Sequence, residues 1–384
     1  MKILILGADG YLGWPTAMSL SMKGHNVSLV DDFSKRKIEL EEGIYPLENI
    51  PTLQKRVRTW KKVTGKNMDL HVCSLLNHRK VYSVFKEIKP DAVIHYAEQP
   101  SAPYSMQGRE QAVFTQNNNV IGNLNVLFAI KKYCPEAHLI KLGTMGVYGT
   151  PNIDIEEGFI DITHKGRKDN LPFPKQPFSF YHLSKVHDSN NILFACRVWG
   201  LKATDLNQGL VYGIETDETI MNEDFKTSFH YDSVFGTVLN RFAVQSVVGF
   251  PLTIYGNGSQ TRGCLNIKDT IQCVELALNN PPEQGKYEVY NQFTESFSII
   301  QFADFVEKAA KNFDIKVNIE KIKNPRVEKE DHYYNPTHTK LLDLGLKPNL
   351  LTVDMVSEML KRILESKNDI DQNLILPSIS WKQK

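Results

Sequence analysis

What the chain lacks narrows it first. Its five cysteines, Cys73, Cys134, Cys196, Cys264 and Cys273, are odd in number and scattered, with no C-x-x-C pair. That argues against a disulfide framework or a zinc module and fits reduced thiols, so no metal is expected. No apolar run approaches the ~20 residues a membrane-spanning helix needs, so no membrane role is expected. Neither sign of charge is in excess: 45 Lys and Arg stand against 44 Asp and Glu, a formal net charge of +1. A nucleic-acid protein normally shows a basic excess, so that class is set aside; a local basic pocket for a small anion is not. The opening Met1-Lys2-Ile3-Leu4-Ile5-Leu6 has no charged-then-apolar leader, which sets the expectation of a cytoplasmic location. Internal repeats and low-complexity tracts are absent as well.

What is present is ordinary globular composition, 41% hydrophobic and 23% charged over 384 residues. That is enough for one large core or two modest domains. Residues 2–6 read as a strand running directly into Gly7-Ala8-Asp9-Gly10-Tyr11-Leu12-Gly13, then a helix to about Gly24. Strand, glycine turn and helix in this order suit a dinucleotide. Glycines leave room for backbone amides to approach a pyrophosphate, and a helix N-terminus favours its charge. The spacing G-x-x-G-x-x-G differs from the ordinary G-x-G-x-x-G. A second strand, Asn26 to Val30, ends in Asp31-Asp32, placed to accept the ribose hydroxyls of an adenosine and to repel a 2′-phosphate. NAD is therefore expected rather than NADP. Arg36 either serves a phosphate or pairs with Asp32 or another acid.

Residues 34–66, mostly charged or helical, read as a surface connection. Further strands are expected at 69–73, 90–95, 137–142 and 201–206, with helices at 77–88 and 109–133. Ser74 is a candidate adenine contact. Tyr96, Ala97 and Gln99 lie in a strand-end loop of the kind that lines a ligand crevice in open α/β sheets. Three consecutive asparagines, Asn117 to Asn119, are costly in a helix unless a side chain is employed. Asn119 is the candidate, bonded to backbone at the catalytic end of the sheet. Thr144 follows the fifth strand, where its hydroxyl can meet a substrate oxygen. Thirty-seven residues later Tyr181 and Lys185 share one helix face. A cation beside the phenol favours phenolate, pulling its pKa from ~10 towards neutrality and making a general base for a sugar hydroxyl. The intervening 150–180 stretch, rich in Pro, Gly, Asp and aromatics, reads as an ordered lid.

With Gly7, Gly10 and Gly13 at the start, Thr144 after the fifth strand, and Tyr181 and Lys185 on a helix, the chain resembles the extended short-chain dehydrogenase/reductase superfamily. Longer strings narrow the resemblance. Leu142-Gly143-Thr144-Met145-Gly146, the run Gly149 to Gly158, Phe180-Tyr181-His182-Leu183-Ser184-Lys185 and Ala203 to Gly209 are similar to the UDP-sulfoquinovose synthase family. So are Asn324-Pro325-Arg326-Val327-Glu328 and the tail Pro377-Ser378-Ile379-Ser380-Trp381. The resemblance implies an NAD-dependent enzyme joining UDP-glucose and sulfite through 4-keto and 4-keto-5-ene intermediates. It also implies that Tyr181, with Lys185 and Thr144, handles the proton of the glucose 4-hydroxyl. Arg262 and Arg326 match positions that hold the UDP pyrophosphate, and Asn207 matches a phosphate or sugar contact. Gln99, Met145 and Gln208 complete the expected substrate lining, and a homodimer is the superfamily expectation.

The chain departs from related patterns in places. Sugar-nucleotide 4,6-dehydratases usually carry an Asp-Glu pair where Met145-Gly146 stand, and plant members of the synthase family have Glu where this chain has Val147. His182 is the candidate for the proton traffic at C5 or C6 that is left over, against the plainer reading of a packed polar histidine. The expected fold is α/β, a doubly wound parallel Rossmann sheet of about seven strands with a smaller C-terminal α/β substrate domain. Residues 1–205 would form the NAD-binding domain, with the lid at about 150–180 and parts of 235–295 returning to it. Residues 206–384 would mainly bind the UDP-sugar. The alternatives are a UDP-sugar 4-epimerase or 4,6-dehydratase, and an NAD-sensing regulator, which would have little use for an intact Tyr181 and Lys185.

Overall fold

The architecture is that of a computed structural model, which describes residues 1–326, 332–376 and 381. Val327-Glu328 and Pro377-Ser378-Ile379-Ser380, from the strings above, lie outside the described residues. Seven parallel strands make the central sheet: β1 Lys2–Leu6, β2 Asn26–Asp31, β3 Met68–Val72, β4 Ala92–His95, β5 His138–Thr144, β6 Lys202–Gln208 and β7 Tyr287–Gln292. They lie in the order β7-β6-β5-β4-β1-β2-β3. Strand order reverses at β1 and β4, so a crevice opens at their carboxyl ends.

Apolar runs fit this position. Ile3, Leu4, Ile5 and Leu6 are all fully buried, because helices cover both faces of the sheet. One face packs Ile3, Ile5, Val27 and Leu29 against Trp14, Met18, Trp60 and Val274. The other packs Leu4, Leu6 and Val93 against Phe85, Leu127 and Ile192. A separate core of Phe242, Leu252, Phe302, Val306, Val356 and Leu360 lies in the C-terminal part.

Residues 34–66 are partly helical as expected, in Ser34–Glu42 and Leu53–Thr64, but the second helix is no surface element: it buries Arg56 and Trp60. The long helix expected over 109–133 is present as Arg109–Gln116, Asn117–Ile121 and Gly122–Tyr133, its middle part a π turn. The lid needed correction. The 150–180 segment is ordered, as an antiparallel hairpin of Phe159–His164 and Arg167–Pro172. Yet no residue of 150–180 lines the central cavity. The segment braces the outer edge of the sheet instead: Phe159 packs on Tyr287, and Glu157 accepts the Asn291 and Lys340 amides.

Candidate active site

A cavity of about 950 Å³ lies across the carboxyl ends of the strands. Its floor is the turn after β1. Gly7 has φ +85°, and a Cβ there would strike the backbone of Tyr96 and Ala97, so glycine is needed for conformation and packing alike. Gly10 differs: an added Cβ would meet only the Gly7 carbonyl, at 3.5 Å. Among the described residues, its chain neighbours aside, no other atom lies within 4 Å of that Cβ. Helix Gly13–Met22 starts at this turn with no acidic residue in its first turn, which leaves its positive end for an anion.

The acids after β2 divide their work. Both oxygens of Asp31 are taken by backbone amides, of Asp9 and Phe33, each at 2.8 Å. Burial and the nearby Asp9 carboxylate nonetheless push its pKa up to about 6. Asp32 accepts the Ser34 amide through one oxygen and lines the cavity. Arg36 pairs with another acid: its guanidinium meets both oxygens of Asp9 and donates to the Ile50 and Pro51 carbonyls. A second guanidinium, that of the fully buried Arg56, also binds Asp9 and lies over Trp14.

Tyr11, Leu12, Gly13, Tyr96 and Ala97 join this wall. Ser74 does not; Cys73 and Leu75 on either side of it do. Asn119 and Gln99 sit behind the wall as a clasp. Asn119 Oδ1 accepts the Gln99 amide at 2.9 Å, and its Nδ2 donates to the Gln99 carbonyl and to Ser184 Oγ. The π turn sets Asn119 at this clasp, so the cost of the asparagine run is met by bonding.

Thr144 ends β5, and Tyr181 begins the helix Phe180–Trp199, capped by Ser179 and closed by Gly200 at φ +70°. Tyr181 and Thr144 both line the cavity, near enough for the threonine hydroxyl to favour the ionised phenol. Lys185 lies beneath them, 4% exposed, its ammonium 5.6 Å from the tyrosine ring centre. It donates to the Leu142 carbonyl at 2.6 Å and pairs with Glu98. This alters the electrostatic expectation. The phenol pKa is pushed up, first by burial and then by the Glu98 carboxylate, with Lys141 and the Thr144 hydroxyl opposing. A lysine alone does not bring this tyrosine to neutrality.

His182 faces the cavity next to Tyr181, with Nδ1 2.9 Å from Ser179 Oγ. A Cβ on Gly146 would overlap its imidazole ring. Glycine at 146 is therefore what admits the histidine where it stands, and a side chain at 146 would require that ring to move. Met145 is buried in a small cluster with Val147, Tyr148 and Phe173, off the cavity wall. Asn207 is likewise turned inward, donating to the Tyr148 hydroxyl at 2.9 Å, while its neighbour Gln208 lines the cavity.

Arg262 and Arg326 reach the cavity from the C-terminal part, with Arg241, Tyr255, Gln260 and Asn240. Arg241 donates to the Tyr255 hydroxyl at 2.8 Å and stacks on its ring. Its helix, Val238–Val247, starts at the cavity with no acid in its first turn. Reading by sequence passed over Arg241 and Glu98. Lys141, a lysine between the apolar Ile140 and Leu142 of β5, was the signal that a buried acid would be near.

Comparison with known proteins fits this geometry. Residues 3–291 match the model of the NAD dependent epimerase/dehydratase family, and the chain belongs to it. The resemblance is closer to one branch. The chain is 54% identical over its whole length to the chloroplastic UDP-sulfoquinovose synthase of Spinacia oleracea, covering 79% of that protein. It is 42% identical, again over its whole length, to the UDP-sulfoquinovose synthase of Sulfolobus acidocaldarius, covering 98% of it. The chain is a member of the UDP-sulfoquinovose synthase family and an enzyme.

Solved structures share the fold. UDP-glucose 4-epimerase of Thermotoga maritima with UDP-glucose gives a TM-score of 0.69 at 20% identity, covering 95% of this chain and 99% of that one. UDP-glucuronic acid 4-epimerase of Bacillus cereus, in complex with UDP-glucuronic acid and NAD, gives 0.70 at 20% identity with the same coverage.

Proposed function

We propose that the cavity holds NAD and UDP-glucose side by side and that the enzyme makes UDP-sulfoquinovose from UDP-glucose and sulfite. The observation that carries this reading is the pairing of Tyr181 and Thr144 at one point of the cavity with His182 beside Gly146, where a dehydratase would have its acid pair. The wall fits NAD: Gly10 has room beside it for a pyrophosphate, Asp32 lines the cavity and would accept from a ribose, and Arg36 is engaged by Asp9 rather than offered to a 2′-phosphate. Bound there, NAD would supply the hydride acceptor for oxidation at C4 of the sugar and the donor for its later reduction.

The chain's own groups do the rest. Tyr181 takes the proton of the 4-hydroxyl, Thr144 orients the oxygen, and Lys185 supplies positive charge below. A ketone at C4 makes the C5 proton acidic, so water leaves across C5–C6. Sulfite adds to C6 of the resulting enone, and C5 is reprotonated. His182, turned to the cavity by Ser179, is the group placed to move protons at C5 and C6. Arg262, Arg326 and Arg241 hold the UDP pyrophosphate, aided by the N-terminus of Val238–Val247. Gln208 lines the sugar. Residues 1–205, with β7 and its neighbours, are read as the NAD half and most of 206–384 as the sugar half.

We further read the protein as a cytoplasmic homodimer. Val113, Ile121, Phe128, Phe194 and Val198 are each at least 40% exposed on the tyrosine helix and the broken helix before it, an apolar stripe suited to a second copy. No helix among the described residues is long and apolar enough to cross a membrane.

The test is incubation of the enzyme with UDP-glucose, with and without sulfite, and mass analysis of the nucleotide sugar. The expected product carries a sulfonate only when sulfite is present. A product identical in both, such as an epimer or a 4-keto-6-deoxy sugar, overturns the reading.

A further inference from the structure

Beneath the Tyr181–Lys185 pair lies a set of charged side chains to which the reaction above assigns no part. Glu98 comes from the loop after β4, Lys141 from inside β5, Asp188 from the tyrosine helix and His95 from the end of β4; each is at most 2% exposed. One Glu98 oxygen pairs with Lys141 and the other with Lys185. Lys141 also lies 3.5 Å from Asp188 and, like Lys185, donates to the Leu142 carbonyl. A lysine buried in the middle of a parallel strand is costly, and an aliphatic residue would pack there as well. Retaining it asks for a reason beyond packing.

The charges can be summed. Burial and then Glu98 hold the Asp188 carboxyl well above its usual range, which favours its neutral form. Burial and then Lys141 lower His95 to about 3, so it is neutral. Thr144 is uncharged. What faces Tyr181 from its own helix, from the loop after β4 and from β5 is therefore the Glu98 anion, the cations Lys141 and Lys185, and the His182 ring 5.1 Å from the phenol ring, which none of the substitutions below alters.

We propose that Glu98 and Lys141 are positioning residues for the redox step: Glu98 fixes the Lys185 ammonium under Tyr181, and Lys141 offsets Glu98 so that one net positive charge faces the phenol. Without Glu98 the ammonium would lose one of its two anchors. Without Lys141 the anion would cancel Lys185, and the phenol would keep its proton to higher pH. The proposal rests on Tyr181 being the base in the reading above.

The experiment follows the reduction of bound NAD by UDP-glucose, by near-ultraviolet absorbance, as a function of pH in the holoenzyme. This reads the redox step whether or not sulfite is the second substrate, so the two claims fail separately. Lys141→Met is expected to move the acid limb of the rate up by about one pH unit, a ~10-fold lower rate on that limb. The Kd for UDP-glucose stays within about twofold. Lys141→Arg, which keeps the charge, returns the limb to the wild-type position. A Lys141→Met limb that stays in place, whatever the fall in rate, overturns the proposal and leaves a structural role only. If Lys141→Met does not fold, the double variant Lys141→Met/Glu98→Gln removes both charges and strands neither. Its limb is expected near the wild-type position, and displacement by a full unit overturns the proposal.

Discussion

At the scale of single residues, the chemistry depends on groups whose surroundings work against them. Tyr181 is a phenol held above its ordinary pKa by burial, with its lysine partner shared with an acid. Lys141 and Thr144 act in the opposite direction. Removing the hydroxyl tests this. Tyr181→Phe is expected to lower turnover by ~10²–10⁴-fold while NAD stays bound, because the glycine turn and Asp32 are untouched; turnover is read by product formation and NAD by its release on denaturation. Full activity in that variant would remove Tyr181 from its role. This level was partly legible from sequence. Tyr181, Lys185 and Thr144 announce themselves by spacing, since helix and strand periodicity fix which side chains share a face. Glu98 did not, because a carboxylate in a loop shows no period and its lysine lies 43 residues away.

At the scale of elements, turns and breaks place the groups. The π turn at Asn117–Ile121 sets Asn119 where it clasps Gln99, and Ser179 caps the tyrosine helix while bonding the His182 ring. Gly146 is small because that ring occupies the space a side chain would need. If His182 serves C5 and C6 rather than C4, its loss separates the two halves of the reaction. His182→Asn is expected to leave reduction of bound NAD by UDP-glucose nearly intact and to cut sulfonated product by ~10²-fold or more. Equal loss of both would return the histidine to packing.

Strand positions were readable to within about two residues at most ends, because apolar runs bounded by glycine and proline mark buried parallel strands. The hairpin at 159–172 was not readable as such. Its residues are mainly exposed and polar, so no alternation marks it, and its placement on the sheet edge rather than over the cavity depends on distant partners such as Tyr287 and Lys340.

At the scale of the whole molecule, two cores meet along one cavity, and strand order alone puts the crevice at β1 and β4. In the proposed homodimer the exposed apolar residues of the two helices behind it would form the interface. Phe194→Asp is expected to shift the protein to monomer at micromolar concentration in sedimentation velocity, since losing one buried aromatic and gaining an unpaired charge costs several kcal/mol per copy. An unchanged sedimentation coefficient would place any interface elsewhere.

The central claim is that one sugar passes through oxidation at C4, addition of sulfite at C6 and reduction at C4 without leaving the cavity. It is tested most directly with UDP-glucose deuterated at C4, converted with sulfite in ordinary water and followed by magnetic resonance and mass analysis of the product. The account predicts a sulfonate at C6, the deuterium still at C4 and a solvent proton at C5. Deuterium lost to water, or a product without sulfur, would contradict it.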